Sequence, residues 1–130
     1  MPLTYQIHPH RSLVVVTRRD RVGAETWEAF LTALLLDPAY AKGFAILEDR
    51  RGLRELPTRV EVERASGWIQ EHGAELGATR WAILVSETSP AAFGMARVRE
   101  ALTSTGPVEV RAFTDYEAAL RWTEGLGGAV

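Results

Sequence analysis

Cysteine is absent from this chain of 130 residues, which excludes disulfides, thiolate zinc sites and a thiol nucleophile. Lysine is nearly absent too. Lys42 stands alone, and arginine carries almost all of the positive charge. No charge of one sign dominates: 15 basic residues against 17 acidic ones give a net charge of -2. That balance supplies no whole-molecule field for nucleic acid, so no nucleic-acid partner is expected. Long apolar runs are missing as well. Leu13–Val16, Leu34–Leu36 and the longest, Trp81–Val85, are all far below the ~20 residues of a membrane-spanning helix. The opening Met-Pro-Leu-Thr-Tyr has neither the basic nor the apolar part of a secretory signal, and a cytoplasmic protein is the expectation.

Chemical motifs are scarce in the same way. No serine lies in a glycine-flanked nucleophile elbow, and Gly125 and Gly127-Gly128 follow the last helical segment instead of opening one as a phosphate loop would. His8-Pro9-His10 offers two imidazoles on a turn, too few for a metal site. The motifs call for no catalytic residue, metal or cofactor.

What the chain does have is regular patterning. Hydrophobic residues make up 46% and charged residues 25%, the balance of an ordinary folded domain, and 130 residues suit one domain spanning 1–130. Tyr5 and Ile7 suit a first strand and Leu13–Thr17 a second, joined as a hairpin through His8–Ser12. Trp27, Phe30, Leu31, Leu34 and Leu35 then recur at helical spacing until Asp37-Pro38 stops the helix. Phe44–Leu47 is the third strand. Thr58 and Glu61 have the spacing of a capping box for a helix through Val62, Ala65, Ile69 and His72, with Gly73 or Gly77 as its stop. Trp81–Val85 is apolar on both faces, as a central parallel strand must be. Ser89-Pro90 opens a third helix carrying Phe93, Val98, Ala101 and Leu102. Val108, Val110 and Ala112 alternate as an edge strand. Thr114 and Glu117 cap the last helix, whose stripe is Ala118, Trp122 and Leu126 before a glycine-rich tail. The order is β-β-α-β-α-β-α-β-α, an α/β fold with a mixed, mostly parallel sheet of about five strands and four helices.

Ligands of open α/β sheets bind beyond the carboxyl ends of the parallel strands. Here those ends are Arg18–Arg21, Glu48–Gly52, Ser86–Ser89 and Thr114-Asp115. Arg19, Asp49, Arg50, Arg51, Ser86 and Ser89 are the candidate ligand-binding residues, with guanidinium groups and hydroxyls suited to an anion. Asp49 is the carboxylate singled out, either for loop hydrogen bonds or as an acid–base group. The four tryptophans, Trp27, Trp68, Trp81 and Trp122, read as core, with Trp68 at the edge of its stripe as a candidate interface anchor.

The chain resembles the bacterial STAS/SEC14-like (SpoIIAA-like) proteins, a group of mostly unknown function. The strings that carry the likeness are Asp37-Pro38 with Gly43, Leu47-Glu48-Asp49-Arg50, Trp81–Val85, Gly94-Met95-Ala96-Arg97 and Phe113–Trp122, in that order over nearly the whole chain. The resemblance implies the STAS-like fold. Phospho-switch members of the group carry a serine or threonine after the third strand. Asp49-Arg50-Arg51-Gly52-Leu53 puts arginine at that position, so no phosphorylation site is expected. The resulting expectation is a non-enzymatic binding or regulatory module, engaging a partner protein or a small anionic or amphipathic ligand at the strand ends. The alternatives are a small enzyme using Asp49 and a homodimeric interaction protein built around Trp68.

Overall fold

Leu13-Val14-Val15-Val16 has no polar face because it lies inside a sheet covered on both sides. The computed structural model describes residues 2–125. Five strands, β1 (Leu3–His8), β2 (Leu13–Arg18), β3 (Ala45–Asp49), β4 (Thr79–Leu84) and β5 (Val108–Phe113), form one sheet in the order β1-β2-β3-β4-β5. The first pair is antiparallel and the others are parallel. The hairpin link holds a short 3-10 turn, Pro9–Arg11, and Ser12 closes it with φ of 50°.

Five helices accompany the strands: α1 (Ala24–Leu36), α2 (Arg59–Glu71), α3 (Gly73–Leu76), α4 (Pro90–Leu102) and α5 (Tyr116–Thr123). Because the strands follow one another across the sheet without reversal, right-handed crossovers put α1, α2 and α4 on the same face. There Val14, Ile46, Trp81 and Val110, which form one row across the sheet, pack against Trp27, Leu31, Ala65, Ile69 and Ala96. The opposite face, with Leu13, Ala45, Leu47, Ala82 and Leu84, is covered by Ala119 and Trp122 of α5. No helix among the described residues is long and apolar enough to cross a membrane.

Local chemistry sets the boundaries. The Thr58 hydroxyl accepts from the Glu61 amide at 3.2 Å while the Glu61 carboxylate accepts from the Thr58 amide at 2.9 Å, a complete capping box. Ser89 caps α4 with Pro90 in the first turn. Asp37 ends α1. Gly73 approaches Pro107 so closely that a Cβ would lie 3.1 Å from its ring, and Gly77 has φ of +78° with room taken by Lys42.

Four expectations are corrected. The described residues form five helices rather than four, because the chain turns at His72 and makes one further turn, α3, before Gly77 ends it. The buried stripe of α4 is Ala96, Arg99 and then Thr103, whereas Ala101 is exposed; the sheet face below holds a carboxylate, so an arginine takes the core position. Asp115 caps α5 in place of Thr114, its carboxylate accepting from the Ala118 amide at 2.9 Å. Trp68 is buried and stacks on the His72 ring at 4.0 Å, so it cannot anchor an interface. Leu126 and the final glycines lie outside the described residues.

Candidate functional site

Strand β3 alternates, and this parity divides its charged end. Ile46, Glu48 and Arg50 face the side covered by α1, α2 and α4; Leu47, Asp49 and Arg51 face the side covered by α5. Glu48, paired in register with Val16 and Ile83, is completely buried. An isolated carboxylate there would be prohibitively costly. Four donors surround it. Its Oε1 accepts from Arg99 Nη1 at 2.8 Å and from the Trp81 indole at 3.0 Å. Its Oε2 accepts from Arg18 Nη1 at 3.2 Å, with Arg50 Nε at 3.8 Å.

The three arginines come from three places that the fold brings together: the last residue of β2, the residue after β3, and the inward face of α4. All three are more than nine-tenths buried. Arg18 lies over the Trp27 ring at 4.2 Å and Arg99 over Trp81 at 5.1 Å, so aromatic faces supply part of the stabilisation that water would otherwise give. The Arg50 amide donates to the Leu84 carbonyl at 2.8 Å and holds the chain against β4 as it leaves the sheet.

Three guanidiniums around one carboxylate leave two positive charges unbalanced. Burial by itself raises the Glu48 pKa, but Arg99, Arg18 and Arg50 together with the Trp81 hydrogen bond overcome it and hold the group at about 2. Desolvation lowers Arg50 to about 10, and Arg18 and Arg99 push in the same direction against the pull of Glu48. Arg99 is lowered for the same leading reason. The guanidiniums remain charged at neutral pH.

Several donors of this group find no acceptor among the described residues: Arg18 Nε, Arg50 Nε, Arg99 Nε and Arg99 Nη2. Arg18, Arg50 and Arg99 also line a cavity, closed in otherwise by Val22, Ala24 and Trp27 of α1 and its approach and by Pro57, Glu61, Val62 and Ala65 of α2 and its approach. The positions open to a water's centre amount to about 20 Å³, and with its open mouth the cleft measures about 330 Å³. Glu61 at its edge is already engaged, by Arg21 at 3.0 and 3.1 Å and by the Thr58 amide.

Of the residues singled out from sequence, only Arg50 reaches this cavity. Arg19 is exposed. Asp49 accepts from the Arg51 amide and guanidinium at 2.9–3.0 Å, and Arg51 lies over Tyr116 on the α5 side. Ser86 bonds Thr88, and Ser89 is spent on its cap. Asp49, Arg51, Ser86 and Ser89 therefore do not share a site with Arg50. The residues that sequence reasoning passed over are Arg18, Glu48, Trp81 and Arg99. The signal for Glu48 was parity: it stands two positions after Ile46 in a strand whose core face is otherwise apolar.

The fold that carries this cluster has a counterpart in a solved structure. An uncharacterized protein from the DUF3478 family, with a SpoIIAA-like fold, from Shewanella loihica PV-4 superposes with a TM-score of 0.60 over 93% of this chain and 91% of that one, at 18% identity. The chain has a SpoIIAA-like fold. No family model matches the sequence, and no curated protein does. At 18% identity the likeness carries the SpoIIAA-like architecture and no activity. The arginine cluster has to be interpreted from its own chemistry.

Proposed function

We propose that this SpoIIAA-like domain is a binding module that takes up a small anionic or amphipathic ligand at the carboxyl ends of its parallel strands, in the cleft between α1 and α2. The observation that carries this reading is the set of buried guanidinium N–H groups without acceptors among the described residues, in arginines that line a cavity and outnumber the buried carboxylate they surround. Leaving a buried donor unmade costs about 1–3 kcal/mol, and more for a charged group, so an arriving anion recovers energy the fold has already spent.

Binding fits these residues better than catalysis. Glu48 is held as a carboxylate with a pKa of about 2 and both oxygens occupied, so at neutral pH it neither donates a proton nor serves as an effective base. Asp49, the acid–base candidate of the sequence, lies on the other face of the sheet in an ion pair.

Thermal denaturation in chloride, phosphate, acetate and hexanoate at one ionic strength tests the proposal. A ligand present at a hundred times its Kd stabilises the folded state by about 2.7 kcal/mol. At least one of these anions should raise Tm above the chloride value in the native chain, and Arg50→Gln should abolish that rise. Equal responses to all four anions, or an undiminished response in Arg50→Gln, would refute the proposal.

A further inference from the structure

We infer that the ligand is a small apolar monocarboxylate, its carboxylate held by Arg99, Arg50 and Arg18 and its hydrocarbon or aromatic body lying along Trp27, Val62 and Pro57. The inference builds on the anion-binding reading above and narrows it by shape, size and lining.

Shape comes first. Arg99 spends Nη1 on Glu48 and leaves Nε and Nη2 without an acceptor. Those two nitrogens form one edge of the planar guanidinium, with parallel N–H bonds that match the two oxygens of a carboxylate. Arg18 Nε and Arg50 Nε are further donors for the outer lone pairs of those oxygens. Size decides between anions. The space of about 20 Å³ exceeds the ~10–15 Å³ that one water requires by little, so the flat end of a carboxylate fits it more easily than the bulkier tetrahedral phosphoryl group. Charge agrees: Glu61 at the mouth adds a negative neighbour, although a paired one, which a dianion would meet and a monoanion meets less strongly. The rest of the lining (Val22, Ala24, Trp27, Pro57, Val62 and Ala65) offers nothing polar from its side chains except the Trp27 indole, which also lacks an acceptor. The enclosed space of about 20 Å³ is far smaller than an ordinary ligand pocket, so the body lies toward the open mouth of the cleft and is limited to a short chain or a single ring.

The test is calorimetric titration of the full chain with acetate, butyrate, hexanoate, octanoate, dodecanoate and benzoate, alongside hexanamide and hexyl phosphate, at fixed ionic strength. Affinity should rise about fourfold per methylene while the chain remains inside the cleft, then level off by octanoate. That plateau marks a small organic acid as the source; a rise continuing through dodecanoate would indicate a fatty acid and refute the size limit. Hexanamide and hexyl phosphate should each bind at least tenfold more weakly than hexanoate. Ala65→Leu fills the cavity without touching a charge and should abolish hexanoate binding with the far-ultraviolet spectrum unchanged, which guards against variants of the arginines that fail to fold.

Hexyl phosphate binding more tightly than hexanoate, and lost in Arg50→Gln, would overturn the carboxylate inference and leave the anion-binding reading standing. Silence from every anion would overturn both. Hexanoate binding retained in Ala65→Leu would remove the ligand from this cleft.

Discussion

Glu48→Gln is the substitution that most directly tests the energetics of the cluster. The amide keeps the size of the carboxylate and one acceptor oxygen, but it replaces the other oxygen with an NH2 group. Whichever way the amide is turned, that donor meets a guanidinium, Arg18 on one side or Arg99 on the other. Three buried arginines would then share no carboxylate. Breaking a buried ion pair by removing one partner costs about 3–5 kcal/mol. The pKa, displaced from 4.5 to about 2 by the same contacts, points the same way and favours the ionised form in the folded state by about 3 kcal/mol. With a urea m-value of about 2 kcal/mol/M, the midpoint at pH 7 should fall by about 2 M.

The pH dependence provides the second half of the measurement. A folded-state pKa below the unfolded one means that the stabilisation is complete above the unfolded value near 4.5 and is lost as pH falls toward about 2. Urea titrations at half-unit steps from pH 7 to pH 2.5 should show this loss in the native chain and a shallower decline in Glu48→Gln. Asp49→Asn is the control, one residue along and on the other face. Its partly exposed pair with Arg51 should cost no more than about 1 kcal/mol. A Glu48→Gln midpoint within 0.5 M of the native value (about 1 kcal/mol at that slope), with an unchanged acid limb, would refute the account of the cluster.

Other outcomes follow from the same structure. Arg99→Met should destabilise by about 3 kcal/mol or more in urea, since it removes the shortest bond to Glu48, whereas Arg97→Met on the outer side of the same helix should change stability by less than about 0.5 kcal/mol. Gly77→Ala should lose about 1–3 kcal/mol, because its φ of +78° with ψ of -176° is a region that only glycine occupies easily and a Cβ would lie 2.9 Å from Lys42. Thr58→Ala and Asp115→Ala should each cost about 1 kcal/mol through lost caps, and being far apart they should add in the double variant.

The architecture was legible because it is written in local periods. Alternation, helical spacing and the caps at Thr58 and Ser89 each act over a few residues, and the elements they specify combine in few ways under right-handed crossovers. The additional turn at α3 escaped notice because a four-residue helix has no period of its own. The site was harder. The arginine cluster does lie at the rim of strand ends, yet it is assembled by contacts 30 to 51 residues apart in the chain, from Arg18 to Glu48 and from Glu48 to Arg99. Charged residues at strand ends look alike in sequence whether they point into solvent or into the core. Asp49 and Glu48 differ in role only because adjacent positions of a strand point in opposite directions.

The charge imbalance of the cluster is what the proposed function rests on. A structural ion pair needs charges that balance, and one arginine on Glu48 would have balanced it. Two further guanidiniums in the same space add desolvation and mutual repulsion, visible in the lowering of Arg50 to about 10. Apolar residues of similar volume at positions 18 and 50 would have continued the core of Val16 and Ile83 at less cost. Excess buried positive charge beside a cavity is stable in the protein alone only at a penalty, and an anion that enters relieves it. The free energy withheld from folding is then available for binding, and it favours ligands small enough to reach the guanidiniums.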